Sequence, residues 1–141
     1  MLDRNLLEKK MNLLVGYIAE LEVIIADSVV EILKDNNKYH ATERIFQLIV
    51  DTMIDINIHL IKEGKLGAPD DFEGTFKLLG KVGVLDDKFA IKIAPIVGLR
   101  NRVVHQYDSL NMEEFIGSLK KDFFDFKEYL IQIENFLKRQ K

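Results

Sequence analysis

Apolar residues along this chain recur at steps of three and four, never as a sustained alternation. Leu6, Leu7, Met11, Leu14, Ile18, Leu21, Ile25 and Val29 form one stripe, which predicts a long first helix to about Leu33. The polar run KDNNKYH interrupts it with turn formers. A second helix is predicted from about Ala41 to Lys62, with Ile45, Leu48, Ile49, Met53, Ile56 and Leu60 on its inner side. EGKLGAP, from Glu63 to Pro69, reads as a loop. Asp70 or Asp71 can cap a short third helix ending near Gly80. Asp86 or Asp87 can cap a fourth, carrying Phe89, Ile93, Ile96, Val97 and Val103. Pro95 lies inside that helix and removes a backbone hydrogen bond, which predicts a kink. NMEE, from Asn111 to Glu114, has the form of a capping box. It opens a last helix through Phe115, Leu119, Phe123, Phe126, Leu130, Ile133 and Leu137 to about Lys138.

The predicted fold is all-α: an up-and-down helical bundle of four long helices plus one short helix, in a single domain over residues 1–141. Ile24, Val30, Phe124 and Phe136 are apolar yet fall outside the narrow stripes of the first and last helices. A wider core could absorb them. A homodimer packed through the long helices accounts for them more simply.

Composition narrows the function. The chain contains no cysteine, which excludes disulfides, thiolate metal sites and cysteine nucleophiles and fits a reducing compartment. The net charge is −3, whereas a dedicated duplex-DNA binder is normally basic. Contact with nucleic acid must therefore rest on a local patch. Charges interrupt MLDRNLLEKK where a signal peptide needs its apolar core, and Asp51 and Asp55 cut the most apolar run, LIVDTMIDINIHLI. A cytoplasmic protein without a membrane span is expected.

The densest chemistry is RNRVVHQYD, Arg100 to Asp108. Arg100 and His105 are five residues apart, hence about 140° apart round a regular helix. One straight helix cannot set both on one phosphate. Either the helix unwinds after about Val104, or a second subunit completes the site. Taken alone, an Arg/His pair near a helix end more often serves the carbonyl end of the helix dipole. Arg102 reads equally as an RNA contact or a solvated side chain, and Lys81, Lys88 and Lys92 could extend a basic lip or belong to a mixed-charge surface. Asp51, Asp55 and His59 line one helical face at steps of four. No metal is expected there, because His59 has no second histidine at close spacing; Asp55 is instead expected to pair with Arg100 or His105. His40 reads as a surface residue, and Tyr17, Tyr39 and Tyr129 as packing or rim residues.

The spacing Arg100, four residues, His105, one residue, Tyr107 closely resembles the R-x(4)-H-x-Y signature of the HepT-like branch of the HEPN superfamily. Asn101, directly after the arginine, matches the wider HEPN pattern. RIFQLIVDTMIDINIHLI resembles that branch's second helix, and FEGTFKLLGKVGVLDDKFAIKIAPIVGLRN its third and fourth, so the likeness spans about residues 5 to 135. The resemblance implies a dimeric helical bundle with ribonuclease activity that needs no metal or other cofactor. It also implies the toxin half of a toxin–antitoxin pair. The implied partner is a minimal nucleotidyltransferase of the MntA type, which silences the toxin by transferring AMP to the motif tyrosine, here Tyr107.

The residue types suit that chemistry. RNA carries its own nucleophile, the 2′-hydroxyl. A histidine with an unperturbed pKa near 6.5 can take and return protons. An arginine fork can bind phosphate oxygens as charge develops, and Asn101 can orient His105 or donate to the phosphate. The expectation is thus an RNA endonuclease using Arg100, His105 and Asn101. The alternative is a non-catalytic helical partner, the substrate-binding subunit of a nucleotidyltransferase.

Overall fold

The computed structural model describes residues 3–105 and 110–140, and among these every regular element is a helix. Eight follow in order: α1 Arg4–Ile25, α2 Val29–Lys34, α3 Asn36–Gly64, α4 Phe72–Lys81, α5 Asp87–Ile93, α6 Ile96–His105, α7 Met112–Asp122 and α8 Phe124–Arg139.

Local capping chemistry decides most of the boundaries. Asp3, Asp71, Asp86 and Asn111 each accept a backbone N–H of the first turn of α1, α4, α5 and α7. The single first helix expected to Leu33 is in fact two. Ser28 accepts from the Glu31 N–H while Glu31 reaches back to Ser28, and this capping box starts α2 afresh. The polar run expected as a turn is largely the first turn of α3, because Asp35 accepts from the N–H groups of both Asn37 and Lys38. α3 stops where Lys65 takes the left-handed conformation (φ 51°) and its N–H closes on Ile61 and Lys62.

Pro95 does more than bend one helix. α5 ends at Ile93 and α6 starts at Ile96, since proline offers no N–H to continue the ladder. The last predicted helix also divides, at Phe123, whose backbone stays helical, so α7 and α8 are two segments meeting at a shallow break.

α3 is the spine, burying residues along its whole length from Tyr39 to Ile61. α1 lies along it through Leu7, Met11, Leu14, Ile18, Leu21 and Ile25, a strict four-three alternation. Phe46 and Phe115 meet edge to face at 5.2 Å and lock α3 to α7. A buried polar chain ties α3, α4 and α8. The Tyr129 hydroxyl donates to Asn57 Oδ1 (2.6 Å), and Asn57 Nδ2 donates to Thr75 Oγ1 (3.1 Å). Tyr129 is thus a fully buried core residue, with burial raising its phenol pKa well above 10.

The extra apolar residues of the outer helices divide. Ile24 and Phe136 pack partly against the protein's own core. Val30 and Phe124 remain open to solvent, at 61% and 73% exposure, as do Leu13 and Ile131. No helix among the described residues is long and apolar enough to cross a membrane.

Candidate active site on the sixth helix

α6 presents two unlike faces, and the sequence spacing explains why. Val97 and Val103 are buried, with Ile96, Leu99, Arg100 and Val104 half-buried around them. The side chain of Arg100 therefore leaves the helix toward α3. Asn101 and His105 lie about 100° and 140° further round, on the solvent side, and both are exposed. Arg102 is exposed beyond them.

Two hydrogen bonds hold the guanidinium of Arg100. Its Nε donates to Asp51 Oδ1 at 2.8 Å, and a terminal nitrogen donates to Asn101 Oδ1 at 3.2 Å. The Asp51 bond is charge-assisted and links α6 to α3 across 49 residues. Using Nε for the anchor leaves most of the terminal N–H donors for other acceptors. Asn101, which accepts from the arginine head, stands about 40° from His105 round the helix axis.

The partner of Arg100 is not the residue the sequence favoured. Asp55 faces α1, where Lys10 Nζ lies 3.6 Å from its carboxylate. α3 runs between α1 and α6, so carboxylates one turn apart reach different neighbours. His59, a further turn along, has its Nε2 buried without a hydrogen-bond partner among the described residues. The three do not converge, and no group of three or more potential ligands among the described residues could hold a metal ion. Tyr107 lies outside the described residues, so only His105 marks the end of the helix that leads to it.

Comparison with known proteins places the chain in a family. A model of the ribonuclease HepT-like family matches residues 14–133. The chain belongs to the HepT-like ribonuclease family. A family relative from Aphanizomenon flos-aquae, described as a tRNA nuclease HepT, is 31% identical over 132 residues, covering 94% of this chain and 90% of the relative. A second, an mRNA nuclease HepT from Shewanella oneidensis, is 27% identical over 84 residues, 60% of this chain and 63% of that one. Among solved structures, a tri-AMPylated Shewanella oneidensis HEPN toxin in complex with MNT antitoxin superposes with a TM-score of 0.85. It is 22% identical, and the match covers 96% of this chain and 99% of that one. At that identity the likeness establishes the shared fold.

Within the family frame, the residue the sequence undervalued is Asp51. The signal was present as a carboxylate in the ladder of α3, but spacing alone could not tell which rung meets α6.

Proposed function

We propose that this chain is an RNA endonuclease, the toxin of a toxin–antitoxin pair, with Arg100 and His105 as its catalytic residues. One observation supports the reading: in a HepT-like fold, Arg100 is held by Asp51 and by Asn101, the neighbour that precedes His105 by four residues on the same helix. There Arg100 supplies donors to a phosphate oxygen as charge builds, in a fixed geometry that needs no reorganisation. His105 removes the 2′-hydroxyl proton. The 2′-oxygen bonds to phosphorus, the bond from phosphorus to the 5′-oxygen breaks, and that oxygen takes up a proton from an imidazolium. The products are a cyclic phosphate and a 5′-hydroxyl. Asn101 holds the arginine head and offers its amide N–H to the phosphate. No step requires a metal ion.

Two subunits suit this scheme better than one. The open Val30, Phe124, Leu13 and Ile131 give the long helices apolar surface for a homodimer. A second His105 across that dimer would separate the roles of base and acid. The partner that restrains the toxin is a minimal nucleotidyltransferase of the MntA type, acting in the cytoplasm by AMP transfer to the Tyr107 hydroxyl. A bulky anion two residues beyond His105 would repel RNA and compete for the arginine.

The test has two arms. Purified protein incubated with RNA in the presence of a chelator should cleave it, and the Arg100→Ala and His105→Ala proteins should not. Coexpression with an adjacent nucleotidyltransferase should raise the intact mass by whole AMP units, and Tyr107→Phe should abolish the gain. Undiminished cleavage by His105→Ala would overturn the catalytic assignment. An inactive wild-type protein that still binds the nucleotidyltransferase would favour the non-catalytic partner reading.

A further inference from the structure

A cleft of about 240 Å³ lies on the flank of α6 away from Asp51, between α5–α6 and α7–α8. It begins at the Pro95 break, follows Leu99 and reaches Arg102, with Phe126 on the opposite wall. Two sorts of polar group line it. Lys92 and Asp125, both in its lining, pair with each other at 3.1 Å. Arg102, Asp122 and Ser118 also line it, and among the described residues the side chains of Arg102 and Asp122 have neither a hydrogen bond nor an ion pair. A cation and an anion thus share one cleft without neutralising each other. That arrangement suits a ligand with both donors and acceptors on one edge.

We propose that this cleft takes a single unpaired nucleobase of the RNA substrate, next to the phosphate that is cut, and selects bases with an amino group. The inference rests on the nuclease reading of His105. Arg102 is one helical turn from His105, so the mouth of the cleft adjoins the site where the phosphate would sit. Single-stranded RNA is read by splaying bases into such clefts and bonding their edges. Asp122 accepts from an exocyclic amine, as carboxylates do for cytosine N4, while Arg102 and Ser118 donate to the ring nitrogen or carbonyl beside it. Pro95 and Leu99 cover the flat face. Uracil presents one N–H between two carbonyls, and the carboxylate repels those oxygens. A phosphate is disfavoured for the same reason, with Asp122 and Asp125 both at hand.

The test uses short single-stranded oligo(A), oligo(C) and oligo(U). Wild-type protein should cleave the A and C oligomers roughly tenfold faster than U, the discrimination expected of one good edge contact. Asp122→Asn should bring the three rates within about twofold of one another while leaving the protein folded. A parallel arm measures fluorescence anisotropy of the same oligomers with His105→Ala protein, which reads base preference without cleavage. Loss of preference in Asp122→Asn, in either arm, supports the cleft. Equal preference in wild type and Asp122→Asn overturns it even if cleavage depends on His105. Preference that survives in the binding arm, with no His105-dependent cleavage, sinks the nuclease reading and leaves the cleft. No preference in either arm, with Asp122→Asn weakening the hold on a nucleotidyltransferase instead, reassigns the cleft to the protein partner and overturns the proposal.

Discussion

Arg100 Nε sits 2.8 Å from Asp51 Oδ1, with the arginine side chain 21% exposed and the aspartate 35%. The pair is neither deep nor free in water. Its charges stabilise each other moderately and are hydrated enough to avoid a large desolvation penalty. What it contributes is position: the planar fork is held at Nε by Asp51, and a terminal nitrogen is held by Asn101.

Asp51→Asn should therefore slow RNA cleavage more than it unfolds the protein. The neutral amide holds the fork less firmly, and a misplaced arginine weakens only contacts made as charge develops. A drop of roughly ten- to a hundredfold in kcat is expected, from losing a charge-assisted hydrogen bond of about 1.5–3 kcal/mol. The thermal midpoint should move by only a few degrees, and KM should change less than kcat. Asp51→Glu should restore part of the rate. Unchanged kcat in Asp51→Asn would remove the anchor from the mechanism.

Asp55→Ala offers the contrast one turn away. Its partner is Lys10, at 3.6 Å, and its own side chain is 58% exposed. Such pairs contribute about 0.2–1 kcal/mol. Stability by urea denaturation should fall within that range, and the cleavage rate should stay close to wild type.

Tyr129→Phe should destabilise the bundle by about 1–3 kcal/mol, because Asn57 Oδ1 loses the hydroxyl that donates to it inside the core. The same residue sets an alkaline limit. Burial raises its folded-state pKa above the unfolded value near 10, and Lys38 is raised above 10.5, first by its hydrogen bond to Asp27. Above pH 10 the unfolded chain releases these protons before the folded one does. Both groups stabilise the fold fully below that pH, and their contribution is lost as pH climbs through the folded values. Unfolding free energy followed from pH 9 to 12 should decline, and less steeply in Tyr129→Phe.

Gly80→Ala should also destabilise, by about 1–3 kcal/mol from overpacking. A Cβ there would fall 2.6 Å from Ala90 Cβ and 3.2 Å from the Asp87 backbone, where α4 crosses the start of α5. The shift should appear in the thermal midpoint, and Ala90→Gly should relieve part of it in the double variant.

The helices, and the starts of several of them, are written locally in the chain. Periodicity at three and four fixes which side of each helix is apolar, and Asp3, Asp71, Asp86 and Asn111 cap within three residues of themselves. The break at Ser28 was just as local, written in Ser28 and Glu31, but an unbroken apolar stripe running across it hid the signal. The spacing from Arg100 to Tyr107 pointed to the family for the same reason, as a pattern along one segment. Tertiary structure alone decided which carboxylate of α3 meets Arg100. Asp51 and Asp55 differ by about 40° round the helix. That small angle assigns one to α6 and the other to α1, according to how three helices are rotated against one another when the core closes. Tertiary structure also gathered Arg102 and Asp122 round one cleft, from helices separated by the chain between α6 and α7. Side-chain pairing at such separations depends on the packing of the whole core, and no local pattern encodes it.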